Sequence, residues 1–106
     1  MATLQRSADL VLGLSSNVPY YTCLMHYVCE HIQRQSFGTQ KIIPTTLTYY
    51  LNNYHIYNNQ FEGVEAQLSR KPYDPPTFEY NYDNPLESKI INYKYHPSIK
   101  FPSAAV

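Results

Sequence analysis

The chain has 106 residues, enough for one small domain, and its eight basic residues balance eight acidic ones. Charged residues make up 15% of the composition and their net charge is zero. This argues against a dedicated nucleic-acid binder, because such proteins normally carry a clustered basic excess. No apolar run approaches the roughly 18–20 residues of a membrane-spanning helix, and two cysteines do not make a disulfide framework. We therefore expect an intracellular protein without a transmembrane segment.

An amphipathic pattern opens the chain. Thr3 can cap a helix, and Gly13 stands where a left-handed residue would end it. Between them, apolar residues recur at helical spacing at Leu4, Ala8, Val11 and Leu12. The pattern predicts a short first helix.

A second helix has stronger signals. Ser16 or Asn17 can cap it, Pro19 falls in the tolerated first turn, and Gly38 marks its end. One apolar stripe at helical spacing is formed by Tyr21, Leu24, Met25, Val28 and Ile32. An extended connector is expected around Pro44, because the residue before a proline is pushed out of the helical region.

Residues 46–69 carry the most regular apolar pattern of the chain. Spacings of three and four alternate along Leu47, Tyr50, Tyr54, Tyr57, Phe61, Val64 and Leu68. This a/d pattern predicts a third helix. A β-hairpin is the alternative, because the stretches Thr-Tyr-Tyr-Leu and Tyr-His-Ile-Tyr are strand-like and Asn52-Asn53 could form the turn. Helix is favoured, and the choice stays open.

The last third of the chain has a different composition. Residues 71–106 hold six of the eight prolines and no glycine, which predicts an extended segment. Aromatic and polar residues alternate at Phe78, Tyr80 and Tyr82, which places these three rings on one side. One or two helical turns are expected after Asn84. The sequence thus predicts a mainly α fold, in which a body of two to three helices (1–70) precedes a long Pro/Tyr-rich arm (71–106).

The exposed rings of this predicted fold are interpreted as a partner-binding surface. An extended arm cannot bury its own aromatic residues, so larger protein subunits are expected to cover them. The predicted contacts are Tyr50, Tyr54, Tyr57, Phe61, Tyr73, Phe78, Tyr80, Tyr82, Tyr93, Tyr95 and Phe101.

Four potential metal ligands lie close together in the predicted second helix, at Cys23, His26, Cys29 and His31. At about 100° per residue their directions diverge around the helix, so they do not converge on one zinc ion. The sequence does not decide whether they have any metal or redox role. No phosphate-binding glycine loop occurs, and we expect no catalytic residue, cofactor or metal.

These observations predict a non-catalytic structural accessory subunit that joins larger proteins as a hetero-oligomer. In composition alone, the chain resembles small accessory proteins of ciliary microtubules and supernumerary subunits of mitochondrial respiratory complexes. A cytoplasmic or cytoskeletal location is favoured, with the mitochondrion as the second choice. The alternative is a small protein-binding or inhibitory module, of viral type, that seizes a single target.

Overall fold

The structure is a computed structural model that describes residues 1–103. Within this range the chain forms two helices and four strands. Their order is β1 (Ala2–Asp9), α1 (Leu14–Gln35), β2 (Thr48–His55), α2 (Phe61–Leu68), β3 (Thr77–Glu79) and β4 (Lys89–Ile91). Single 3₁₀ turns lie at Asn58–Gln60 and Pro85–Glu87.

Strands β1 and β2 are parallel neighbours, and α1 makes the crossover between them. The register pairs Ala2 with Thr48 and Asp9 with His55. Because side chains alternate along a strand, Gln5 and Asp9 share one face of the sheet with Tyr49 and His55. Helix α1 lies on this face, where Tyr21 meets the ring of Tyr49 at a centroid distance of 5.5 Å.

The predicted first helix is wrong. Residues 2–9 form β1, whose Thr3 and Gln5 are half-buried while Leu4 is 75% exposed. The apolar residues do recur at helical spacing, but a helix this short is only marginally stable by itself. As a strand, the segment instead forms its backbone hydrogen bonds with β2.

The predicted second helix is confirmed as α1, although it starts at Leu14, before the predicted caps, and no side chain caps it. Pro19 lies inside the helix. The chain leaves α1 through Gly38, whose φ of 76° is in the left-handed region that glycine adopts without strain. Of the predicted apolar stripe, Met25 is buried, whereas Leu24 and Val28 remain about two-fifths exposed.

The prediction of one helix over residues 46–69 is wrong, and the alternative hairpin is wrong as well. This segment forms the strand β2, a 3₁₀ turn and the short helix α2. Tyr50 and Tyr54 lie on one face of β2, where they are 58% and 65% exposed. Only the second half of the a/d pattern, Phe61, Val64 and Leu68, is helical.

The arm is not extended throughout. Strands β3 and β4 pair antiparallel, with Phe78 opposite Ile90, and the 3₁₀ turn Pro85–Glu87 lies between them. Phe78, Tyr80 and Tyr82 are all half-buried on α1, which confirms that the three rings share one side. The mainly α fold class is therefore wrong, since the described residues form four strands beside two helices. The division at residue 70 stays a prediction.

The fold buries little of its own apolar surface. The accessible surface is 8499 Å², against about 6,100 Å² for a compact monomer of this mass. The Cα radius of gyration is 16.9 Å, where a compact domain of this length has about 13 Å. Ala8, Met25 and Gln60 are the buried residues among those described. Much apolar surface is thus exposed to solvent in the described residues.

Neither helix in the described range is long and apolar enough to cross a membrane.

Candidate functional site

The two parallel strands end side by side. Asp9 closes β1, His55 closes β2, and the two residues are partners in the register. The backbone N–H of Leu10 donates to the carbonyl of His55 at 3.1 Å, so the pairing continues just past the strand. In sheets of this kind, ligands bind outside the carboxyl ends of the parallel strands. This edge is therefore a candidate binding site.

Asp9 organises the turn from β1 into α1. Its Oδ1 accepts the backbone N–H groups of Val11 and Leu12 at 2.8 and 3.1 Å. A Cβ atom at Gly13 would lie 3.0 Å from the carbonyl oxygen of Asp9, so glycine lets the two backbone segments approach closely. The turn places the N-terminus of α1, with its partial positive charge, directly after the strand end.

A hydrogen-bonded group of side chains fixes Asn17 in the first turns of α1. Asn17 Nδ2 donates to Gln5 Oε1 at 3.3 Å, and the hydroxyl of Tyr49 donates to the same oxygen. Burial, followed by the neighbouring Tyr21, raises the pKa of Tyr49, which keeps its hydroxyl protonated as a donor. Gln5 thereby orients the amide of Asn17 from the strand beneath it.

His55 and Tyr57 form the other side of the site. Their rings meet edge to face with centroids 5.2 Å apart, and both residues are half-buried. The N–H of Tyr57 donates to Oε1 of the buried Gln60 at 3.3 Å, which fixes the backbone where the 3₁₀ turn begins. We call Asp9, Asn17, His55 and Tyr57 the carboxyl-end cluster.

The carboxyl-end cluster offers several hydrogen-bonding groups to a ligand. An amide, an imidazole and a phenol can each donate a hydrogen bond to a ligand, and the start of α1 favours negative charge. Arg6 is the one arginine or lysine in β1 and β2, and it is exposed. A polar small molecule matches this set of groups.

The predicted partner-binding residues are spread over several surfaces. Tyr50, Tyr54 and Phe61 are more than half exposed, and Tyr57 belongs to the carboxyl-end cluster. Within the arm, Tyr73 stacks on His96, Phe101 packs on Gly63, and Tyr93 lies beside Tyr95 with both rings exposed. The structure therefore does not bring the predicted set of contacts together, namely Tyr50, Tyr54, Tyr57, Phe61, Tyr73, Phe78, Tyr80, Tyr82, Tyr93, Tyr95 and Phe101.

Tyr82 is the main attachment of the arm to α1. Its ring stacks on Tyr27 with centroids 5.1 Å apart, its hydroxyl lies 2.9 Å from His31 Nδ1, and the Arg34 guanidinium lies 4.4 Å from its centroid. Burial, and then Tyr27, raises the pKa of Tyr82. Hydrogen bonds from Arg34 to Asp83 and then to Glu30 raise the pKa of the guanidinium. The arm thus meets its own chain where an external partner was expected.

The Cys/His group of α1 is distributed around the helix, as its spacing predicts. His26 meets Phe78 at 5.5 Å, His31 meets Tyr82, and both cysteines are half-buried free thiols. Among residues 1–103, no three His, Cys, Asp or Glu side chains lie close enough to hold a metal ion.

An open groove of about 750 Å³ lies between the end of α1 and the β3–β4 pair. Its wall includes Glu30, Arg34, Glu79, Asp83 and Glu87, but its charges are exposed and partly paired with one another. The carboxyl-end cluster lies apart from this groove. The half-buried polar groups at the strand ends are the better candidate site, because their orientation is fixed by the backbone and by buried partners.

Comparison with known proteins identifies the family. Residues 1–105 match the family model described as thymidylate synthase. The chain belongs to the thymidylate synthase family. It is 34% identical over 107 residues to the thymidylate synthase of Symbiobacterium thermophilum, and 33% identical over 109 residues to that of Staphylococcus haemolyticus. Each match covers 94% of this chain but only 35% and 31% of the relative.

The solved structures agree with this family at the level of the fold. Thermostable thymidylate synthase A from Bacillus subtilis matches with a TM-score of 0.74 at 24% identity, over 92% of this chain and 35% of that chain. The present chain thus spans about a third of the length of the relatives it matches. The α/β fold seen here is the fold of the corresponding part of that enzyme.

Family membership overturns the predicted function. The prediction of a non-catalytic structural accessory subunit, in a ciliary microtubule lattice or a mitochondrial respiratory complex, is wrong because the family is that of an enzyme. The expectation that the chain has no relation to enzyme activity is wrong for the same reason. The alternative of an inhibitory binding module falls with it.

Sequence reasoning missed Asp9, Asn17 and His55 as site residues and included Tyr57 only as a partner contact. The signal for them is a strand followed at once by Asp, Gly and a helix, which is the start of a βαβ unit. The strand-like stretch before His55 supplies the second strand. Recognising the unit requires pairing β1 with a strand some 46 positions later, as the register shows.

Proposed function

We propose that this chain forms part of a thymidylate synthase and that the carboxyl-end cluster contributes to its nucleotide-binding site. The observation that carries the proposal is the family match over residues 1–105, combined with polar side chains oriented at the ends of two parallel strands. The relatives are named for making thymidylate, a pyrimidine deoxynucleoside monophosphate.

The chemistry of such a nucleotide matches the groups present. A pyrimidine ring offers a hydrogen-bonding edge that an amide such as Asn17 can pair with, as both donor and acceptor. The sugar offers a hydroxyl to the donors His55 and Tyr57. The phosphate dianion matches the guanidinium of Arg6, an exposed cation of β1.

Further polypeptide completes the site in this proposal. The chain spans about a third of its relatives' length, and its accessible surface exceeds that of a compact monomer by a wide margin. Leu4, Tyr50 and Tyr54 are more than half exposed on one face of the β1–β2 sheet, on which Ala8 is buried. The role of the present residues is then to bind and orient the nucleotide, while the bond-forming step needs groups from the rest of an enzyme.

A chimaeric enzyme tests the proposal directly. The matching third of the Symbiobacterium thermophilum enzyme is replaced by residues 1–105 of this chain, and formation of thymidylate is measured. We expect activity, and we expect Asn17→Ala in the chimaera to lower kcat/KM by about tenfold or more, because a lost hydrogen bond in a desolvated site costs at least that much.

The matched control is Asn84→Ala, which makes the same change at an exposed asparagine of the arm. It should leave kcat/KM within about twofold of the parent, as expected of a surface substitution. A chimaera that is folded but inactive, or one in which the two asparagine variants behave alike, would contradict the proposal.

A further inference from the structure

Gln60 is a polar side chain that the fold buries almost completely, at 1% exposure. Its Oε1 accepts the N–H of Tyr57 at 3.3 Å, and its Nε2 donates to the carbonyl of Pro102 at 3.4 Å. One buried amide therefore connects the backbone of a carboxyl-end cluster residue with a segment more than 40 positions later. Buried amides are costly unless both ends are satisfied, so the two contacts depend on each other.

The same late segment is held in place by a steric fit. A Cβ atom at Gly63 would lie 2.9 Å from Cδ1 and 3.0 Å from Cζ of Phe101, closer than real Cβ contacts permit. The Phe101 ring therefore occupies the space that a side chain at position 63 would need. Asn59 Nδ2 adds a hydrogen bond to the Ser103 carbonyl at 3.1 Å.

These contacts all converge on the turn that follows β2. Tyr57 begins the 3₁₀ turn Asn58–Gln60, and α2 continues from Phe61 without a break. Residues 99–103 lie against this turn and against the first half of α2. Displacing them removes the partner of Gln60 Nε2 and opens the space beside Gly63.

We propose that Gln60 is a positioning residue, which couples the placement of residues 99–103 to the backbone of Tyr57, and that Phe101 on Gly63 is the steric part of this coupling. Gln60 acts through Tyr57 and does not touch a ligand itself. The consequence for nucleotide binding rests on the proposed function, whereas the coupling itself does not.

Amide hydrogen exchange in the full 106-residue chain tests the coupling without any nucleotide. We expect Gln60→Leu to speed exchange at the Tyr57 amide about three- to tenfold, since it removes the acceptor of that N–H. Phe101→Ala should also speed exchange at Tyr57, while amides of β1 such as Gln5 keep their rates. Gln67→Leu, the same change at an exposed position of α2, should alter neither.

Size complementarity gives the second arm of the test. Gly63→Ala should displace Phe101 and speed exchange at Tyr57, as Phe101→Ala does. If the two positions form one contact, the double variant Gly63→Ala/Phe101→Ala should be no worse than either single variant. Unchanged exchange at Tyr57 in the Phe101 variant would overturn the proposal, as would an equal increase at every amide or full additivity in the double variant.

Titration with thymidylate then separates the two proposals. In the chimaeric enzyme, Gln60→Leu should weaken thymidylate binding about three- to tenfold, while Gln67→Leu leaves it unchanged. If the parent binds no thymidylate but the exchange pattern is as described, the proposed function fails and the coupling stands. If thymidylate binds and neither exchange nor affinity responds to Gln60→Leu, the coupling fails alone.

Discussion

Met25 is the residue on which the attachment of α1 most depends. It is 8% exposed, one turn after Tyr21, and it borders a small apolar cleft lined also by Ile42 and Pro44. Truncating a buried methionine to alanine costs about 2–5 kcal/mol. We expect a value near the lower end, about 2 kcal/mol, because Val28 next to it is 42% exposed and this open edge can relax.

Urea denaturation followed by far-UV circular dichroism measures this effect in the 106-residue chain. With a slope of about 1–1.5 kcal/mol/M for a small domain, the loss lowers the midpoint by roughly 1.5 M. Leu24→Ala is the matched control, since Leu24 precedes Met25 on the same helix but is 38% exposed, and it should cost no more than about 1 kcal/mol. Equal losses for the two variants would refute the assignment of Met25 to the core.

Three further outcomes follow from individual contacts. Asp9→Ala removes the acceptor for two backbone N–H groups and should cost about 1–3 kcal/mol in the same assay, whereas Asp9→Asn keeps Oδ1 and should cost less than about 1 kcal/mol. Burial raises the pKa of Tyr80 from 10.0, so the folded chain holds this proton more tightly than the unfolded chain does. The free energy of unfolding should therefore fall above about pH 10. Tyr80→Phe should flatten that part of a curve of stability against pH. Asp83→Asn removes the charge that pairs with Arg34 at 2.8 Å, and it should speed proteolysis within residues 80–88. The pair is exposed, and the Debye length in 1 M salt is about 3 Å. The parent and the variant should therefore be cleaved at similar rates in 1 M salt.

Local signals predicted the parts of the fold that local interactions determine. Helix α1 was predicted from an apolar stripe and a glycine end signal; the helix and the glycine end are present, although only Met25 of the stripe is buried. The alternation of Phe78, Tyr80 and Tyr82 predicted that the three rings share a side, and they do. Each of these features is decided by residues within a few positions of one another.

The β1–β2 pair could not be read from local signals. Tyr50, Tyr54 and Tyr57 satisfy a helical spacing, yet the first two lie on a strand because β1, far away in the sequence, offers a complete set of backbone partners. The aromatic residues of β2 also favour a strand, which a spacing argument ignores. The error in fold class therefore arises mainly from one non-local pairing, which makes strands of the first predicted helix and of the first half of the third.

The wrong prediction of function began from a correct observation about the aromatic residues. The sequence predicted more aromatic surface than one small domain can cover, and Tyr50, Tyr54 and Tyr95 are indeed more than half exposed. Exposed rings form a surface that can make contacts, but they do not identify what binds there. The chain matches about a third of the length of each relative. The family match, which no composition argument could supply, is what separates the thymidylate synthase family from the predicted structural subunit.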